Sequence, residues 1–191
     1  MANPKSVFRE YVESVVAAVL LALVVRTFFL QAFMIPTGSM RPTLIERDRI
    51  LVEKVGYGVR VPFTPIHLPS PRPPRRGDIV VFRSMDDPHR DFIKRLVAVG
   101  GDTVEIKDLR VWVNGQPLTD PPIFRQTAYY NRGSYGQAGQ PLTVPPGYYF
   151  FLGDNSASSR DSRYWGLLPE SKVIGRAFVI YWPPKRIRAL H

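Results

Sequence analysis

The longest apolar stretch of the chain lies near its N-terminus. Residues 14–25 read SVVAAVLLALVV and carry no charge. The wider stretch, residues 11–33, has the length of about 20 residues that a membrane-spanning helix needs. Its charged residues lie toward the two ends, Glu13 at one and Arg26 near the other. A long arginine side chain near a helix end can reach the membrane interface, so the pattern predicts a single N-terminal transmembrane helix.

Two other interpretations of this stretch are open. A cleaved signal peptide would end in small residues, whereas this stretch continues into Phe28, Phe29 and Leu30. A buried helix of a soluble protein would show periodic polar positions, which residues 14–25 do not have. The membrane anchor is the better interpretation. Lys5 and Arg9 before the helix favour a cytoplasmic N-terminus, with the rest of the chain outside the cell membrane.

After this stretch the chain shows short apolar runs bounded by glycine and proline. The runs are rich in β-branched and aromatic residues, as is typical of strands. Their number and spacing predict a mainly β fold, an antiparallel sheet or partly open barrel, behind the N-terminal transmembrane helix. The predicted strands cover residues 49–55, 78–83, 92–99, 103–106, 110–113, 148–152 and 173–182.

Three further segments complete the predicted organisation. Asn114 and Gly115 form a hairpin turn signal between Val113 and Gln116. Residues 62–77 are rich in proline and arginine and predict an exposed loop. Residues 118–146 predict a small irregular insertion. We therefore expect two parts, residues 1–32 with the anchor and residues 33–191 as an extracytoplasmic β-rich domain.

Composition narrows the possible chemistry. The 191 residues include no cysteine, which excludes disulfides, thiolate metal sites and a cysteine nucleophile. The formal net charge is +10, which suits an anionic partner. Because a tethered domain meets anionic headgroups first, membrane lipid is the expected partner, and no nucleic acid is expected. No metal-binding motif or cofactor signature is present, so neither a metal nor a cofactor is expected.

A histidine-dependent serine hydrolase is not indicated by the sequence. His67 lies in the proline-rich loop, His89 in a turn, and His191 at the last position. None of them flanks a serine or ends a predicted strand. A nucleophile would therefore need another base.

Ser39 and Lys94 are the candidates for a nucleophile and its base. Ser39 lies in the segment IPTGSMRPTL, where prolines stiffen both sides and apolar residues surround a polar centre. An ordinary turn with a surface serine would have the same local pattern. On the strand predicted at residues 92–99, Lys94 shares a face with Phe92 and Leu96. Burial there would lower the pKa of its ammonium and provide a neutral amine, unless the side chain extends to water.

A third polar segment follows the predicted strand at residues 148–152. Residues 153–166 read GDNSASSRDSRYWG and could form a hydrogen-bonded network around a catalytic amine. Within it, Asp161 and Arg163 are suited to an ion pair. An ordinary polar loop is the alternative.

Together these segments resemble the type I signal peptidases, the serine–lysine family that removes leader peptides from exported proteins. The matching segments are PTGSMRPTL, RGDIVVF, FIKRLVAVGGDTVEI and GDNSASSRDSRYWGLLPESKVIGRA, in the order found in the family and after an N-terminal anchor. The resemblance implies a membrane-bound serine endopeptidase that acts on signal peptides at the cytoplasmic membrane. It implies Ser39 as nucleophile, Lys94 as general base, and an oxyanion hole from the Ser39 N–H and the Thr37 hydroxyl.

The resemblance also implies residues around this dyad. Ser159 would orient the Lys94 amine, and Asp161 with Arg163 would support the site. Family members commonly have arginine where this chain has Ser156, a departure that affects the geometry of this loop and for which Arg160 could compensate. Shallow pockets for small substrate side chains would be lined by Phe33, Ile35, Met40, Leu44, Ile50, Val81, Phe92 and Ile93.

Two other functions are compatible with parts of the sequence. A serine–lysine protease could cleave itself or one dedicated partner, but the self-cleaving repressors that use this chemistry lack an anchor and carry a DNA-binding segment. A non-enzymatic, membrane-tethered β module is the other alternative, motivated by the positive charge of residues 33–191.

Overall fold

An N-terminal helix precedes two antiparallel sheets in the computed structural model. The residues described are 7–54, 72, 74–85, 87 and 89–190. Helix α1 runs from Val7 to Phe28, and its apolar side chains up to Val25 are exposed. Among the described residues, no helix combines the length and the apolar character that crossing a membrane requires. Most of the predicted loop at residues 62–77, together with His67 and His191, lies outside the described residues.

The described residues form twelve strands, and all of their pairings are antiparallel. The strands are β1 Leu30–Met34, β2 Arg49–Glu53, β3 Ile79–Arg83, β4 Asp91–Ala98, β5 Thr103–Lys107, β6 Arg110–Val113, β7 Gln116–Pro117, β8 Leu142–Thr143, β9 Tyr148–Leu152, β10 Leu168–Pro169, β11 Val173–Trp182 and β12 Arg188–Ala189. The larger sheet has the strand order β1-β2-β11-β3-β4-β9-β10, with β12 paired to β11, and the smaller has the order β7-β6-β5-β8.

The mainly β, antiparallel fold predicted from the sequence is confirmed, and each predicted strand is present within two residues at either end. The predicted hairpin turn is present as well, since Val113 pairs with Gln116 while Asn114 and Gly115 adopt positive φ angles of 54° and 75°. Such angles are those of the tight two-residue turn.

The predicted position of the helix's C-terminal end is wrong. Residues 30–33 were included in the apolar stretch of the anchor, but the helix ends at Phe28 and Leu30–Met34 form strand β1. Pairing with β2, in which Phe33 lies opposite Ile50, provides hydrogen bonds that residue composition alone does not predict. Strand β1 therefore spans the predicted boundary between residues 32 and 33.

Three buried clusters hold the sheets together. One lies under β1, β2, β3 and β11, a second under the smaller sheet, and a third around Phe82 and Phe151. Strand β4 contributes to all of them, through Ile93, Leu96 and Val97. It is therefore buried on both faces from Ile93 onward, and a charged side chain there is removed from water.

The segment predicted as an insertion, residues 118–146, is mostly irregular but contributes to the core. It includes the one-turn helix α2, Ile123–Gln126, and strand β8. Phe124 and Tyr129 are buried, and their rings lie 5.9 Å apart. The insertion packs on the smaller sheet, next to the polar loop that follows β9.

Candidate active site

Ser39 lies in a short 3₁₀ helix, Gly38–Met40, just beyond strand β1. Met40 has no exposed surface and fixes this turn in the core. On the other side, the backbone N–H of Asn155 donates to the Ser39 carbonyl at 3.0 Å, and the Asn155 side-chain amide donates to the Gly38 carbonyl at 3.1 Å. The Ser39 hydroxyl is thus held on a rigid turn and remains half-buried.

Lys94 meets this hydroxyl from strand β4. Its Nζ lies 2.7 Å from Ser39 Oγ and 2.9 Å from the Ile93 carbonyl oxygen. The side chain is almost fully buried, and only 4% of the residue is exposed. Burial lowers the pKa of the Lys94 ammonium to about 8, although the carboxylates of Asp161 and Asp154 oppose this shift. An amine with this pKa is partly neutral near physiological pH and is able to accept a proton.

Asp161 and Arg163 form a buried ion pair next to Lys94. Two guanidinium nitrogens of Arg163 each lie 2.7 Å from an Asp161 oxygen. Asp161 also accepts from the backbone N–H of Gly153 at 3.0 Å. This pair fixes the loop after β9, and both of its charges are near enough to Lys94 to act on the pKa of the lysine.

Ser156 is part of this network, and its contacts define the arrangement of the loop at that position. Its hydroxyl accepts from Arg163 Nη1 at 2.8 Å and from the backbone N–H of Tyr130 at 3.0 Å. Arg163 also donates to the Tyr130 carbonyl. Ser156 therefore joins the insertion to the loop of Asp161, while Arg160 is exposed.

Ser159 is buried in the loop after β9, close to the turn that carries Ser39. Its hydroxyl has no hydrogen-bond partner among the residues described. A side chain on Gly153 would collide with the Ser159 hydroxyl and approach the Ser39 carbonyl, so only glycine allows this close packing. The structure therefore places Ser159 at the back of the Ser39 turn, with a hydroxyl group free to bond.

The remaining predicted site residues differ widely in their exposure. Thr37 is exposed and directly precedes the 3₁₀ helix of Ser39. Phe92 is 39% exposed, Phe33 is half-buried, and Ile93 is nearly covered. The other predicted pocket residues pack into the core cluster under β2 with almost no exposed surface: Ile35, Met40, Leu44, Ile50 and Val81.

Sequence reasoning missed a second buried ion pair, which involves Arg95, the neighbour of Lys94 on β4. Arg95 and Asp154 are buried and form two hydrogen bonds of 2.8 and 2.7 Å. Asp154 also accepts from the Thr43 hydroxyl at 2.5 Å. An acidic residue two positions after a buried strand was the available signal that some partner is needed, although it does not indicate which residue that is. The pair links the turn of Ser39, strand β4 and the loop after β9.

Of the three histidines, the described part of the molecule includes His89. His89 is exposed in the turn before β4. No cluster of acidic or histidine side chains with metal-binding geometry occurs among the described residues. The arrangement on hand, a hydroxyl in contact with a buried amine, is suited to nucleophilic attack on a carbonyl.

Comparison with known proteins identifies the family. Residues 8–182 match the family described as "Signal peptidase, peptidase S26". The probable signal peptidase I-2 of Synechocystis sp. is 39% identical over 98% of this chain and 79% of its own length. The signal peptidase I of Pseudomonas aeruginosa is 33% identical over 98% of this chain and 78% of its own length.

A solved structure of a signal peptidase I from Enterococcus faecalis covers 55% of this chain and 97% of its own, at 34% identity and a TM-score of 0.45. The family match extends from α1 through the last long strand, and it covers the turn of Ser39, strand β4 and the loop after β9. A serine endopeptidase is thereby favoured over a non-enzymatic β module. The chain belongs to the signal peptidase family, peptidase S26.

Proposed function

We propose that this protein removes signal peptides from exported precursor proteins with Ser39 as nucleophile and Lys94 as general base. The observation that carries the proposal is the 2.7 Å distance between Lys94 Nζ and Ser39 Oγ at a buried lysine. A neutral amine at this distance is within reach of the hydroxyl proton. No histidine is needed for the step.

The proposed reaction follows the usual course of acyl transfer. Lys94 takes the proton of Ser39 while Oγ attacks the carbonyl carbon of the scissile peptide bond. The Ser39 backbone N–H and the Thr37 hydroxyl then stabilise the negatively charged oxygen; one such donor contributes about 3 kcal/mol in other proteases. The Lys94 ammonium returns its proton to the leaving amine, and water hydrolyses the acyl-enzyme with Lys94 again as base.

The buried polar residues support this cycle by position. The Ser159 hydroxyl, buried and without a partner among the described residues, is proposed to orient the Lys94 amine. The Asp161–Arg163 pair holds the loop that carries Ser159, since Arg163 also donates to the Ser159 carbonyl at 3.2 Å. In these proposed roles, Ser159 and the Asp161–Arg163 pair position the Lys94 amine and take no part in the bond changes.

The substrate is proposed to bind as an extended strand beside Lys94. Within the described residues, Asp91–Lys94 pair with β3 on one side, whereas the pairing with β9 begins at Arg95. The free edge can accept a strand-like peptide. Phe92 and Ile93 lie on this edge, and Phe33 packs against the same core cluster as Ile93. These three residues are proposed to contact small substrate side chains, with the buried residues Ile35, Met40, Leu44, Ile50 and Val81 supporting them.

Association with a membrane is part of the proposal. Helix α1 presents exposed apolar side chains such as Leu20 and Leu21 along its length. We propose that α1 holds the enzyme at the cytoplasmic membrane as a single anchor, with residues 33–191 on the extracytoplasmic side. Substrates carrying an apolar signal segment would then be encountered at the lipid surface.

The dyad is tested by purified variants in a cleavage assay on a precursor with a signal peptide. Ser39→Ala and Lys94→Met are expected to lose activity by on the order of a thousandfold or more, as removal of a nucleophile or its base does in other serine proteases. Their matched controls are Ser158→Ala, an exposed serine of the neighbouring loop, and Lys107→Met, a partly exposed lysine of β5. Normal cleavage by either dyad variant would overturn the proposal.

A further inference from the structure

The C-terminal segment packs against the loop that connects the turn of Ser39 to strand β2. Strand β12 pairs with β11, and Leu190 packs in the same buried cluster as Leu44. From this position Arg188 donates to the Thr43 carbonyl at 2.6 Å, and Arg186 donates to it at 3.4 Å. Two guanidinium groups therefore converge on one carbonyl, four residues after the nucleophile.

A buried carboxylate lies at the far end of this loop, just before strand β2. Asp48 has no exposed surface and accepts two hydrogen bonds from Arg186, at 2.8 and 2.9 Å. It also accepts from the backbone N–H of Ile45 at 2.9 Å. Because a bidentate arginine–carboxylate pair is directional, Arg186 fixes the orientation of this part of the loop.

Thr43 links these arginines to the base. Its carbonyl accepts from Arg186 and Arg188, while its hydroxyl donates to Asp154. Asp154 in turn holds Arg95, the residue that follows Lys94 on β4. The C-terminal arginines thus act on the backbone between the nucleophile and the ion pair next to the base.

We infer that Arg186 and Arg188 are positioning residues that hold the Ser39 turn against Lys94 through the Thr43 carbonyl and Asp48. The inference rests on the proposed dyad and adds a role for the C-terminal segment in it. A shift of about 1 Å between reacting groups can lower a rate on the order of a hundredfold, although the mutated residue touches no substrate.

The test uses the full chain and the precursor cleavage assay. Arg188→Ala is expected to lower kcat on the order of tenfold or more with little change in KM, since substrate contacts remain. Arg188→Lys, which keeps one donor, should recover part of the rate, and millimolar guanidinium should partly rescue Arg188→Ala. Lys185→Ala is the matched control, because it removes one exposed positive charge from the same segment.

Urea unfolding of each variant separates positioning from folding. An unchanged unfolding midpoint with a lowered kcat supports the inference. It is overturned by a wild-type kcat in Arg188→Ala, or by a loss of kcat that follows the loss of stability and is not rescued by lysine or guanidinium. Ser39→Ala measured alongside keeps the two proposals apart: activity in that variant contradicts the dyad, whereas an inactive Ser39→Ala with normal Arg188→Ala contradicts only the positioning role.

Discussion

The environment of Lys94 explains how its amine can be partly neutral near physiological pH, as its proposed role as base requires. Removing the ammonium from water disfavours its charged form, and the Coulombic influence of Arg163 acts in the same direction. Asp161 and Asp154 favour the charged form but are themselves paired with arginines. The net effect places the pKa of Lys94 at about 8, close to the operating pH of a proton-transfer catalyst.

This pKa predicts the pH dependence of cleavage. In the proposed mechanism the neutral amine is the active form, so kcat/KM should rise as pH increases through about 8 and level off above it. A solvent-exposed lysine would instead give a midpoint near its ordinary value of about 10.4. The measurement is kcat/KM on a short peptide substrate across this range, with folding monitored at each pH. A profile that is flat between neutral and alkaline pH would contradict a role for Lys94 as base.

At the scale of elements, strand β4 is central because it carries both Lys94 and Arg95. Adjacent strand residues point to opposite faces, so the lysine reaches Ser39 while the arginine reaches Asp154. The sequence predicts this strand and its alternation. It does not predict that the second face is also buried, because that follows from packing against the loop after β9 and the insertion.

The proposed role of helix α1 as membrane anchor can be tested independently of the proposed catalytic residues. If its apolar surface holds the enzyme at a membrane, Leu20→Glu should weaken co-sedimentation with phospholipid vesicles, because a buried carboxylate in lipid is costly. Cleavage of a short soluble peptide should not change. Leu109→Glu, at a similarly exposed leucine in the turn between β5 and β6, is the control. Equal vesicle binding by both variants would contradict the role of α1.

For the whole molecule, local pattern predicts strands well and long-range ionic contacts poorly. The seven predicted strands have the length and composition that mark strands, whereas β7, β8, β10 and β12 are two-residue pairings that exist only because a neighbouring strand is present. Ser39, Lys94, Asp161 and Arg163 stand out in the sequence itself, whereas Thr37, Ser159 and the pocket residues were predicted only through the family resemblance. Arg95 and Asp154 stand 59 residues apart, and no local signal reveals that they pair.

The buried Arg95–Asp154 pair also leads to a prediction about the stability of the whole molecule. Asp154→Asn would leave the Arg95 guanidinium buried and without its carboxylate. Because breaking one half of a buried pair typically costs about 3–5 kcal/mol, the free energy of unfolding in urea should fall by this amount. The matched control is Asp91→Asn, which breaks the more exposed Arg83–Asp91 pair between the neighbouring strands and should cost less than about 1 kcal/mol. Equal losses in the two variants would show that the buried pair does not tie the Ser39 turn, β4 and the loop after β9 into one cooperative unit.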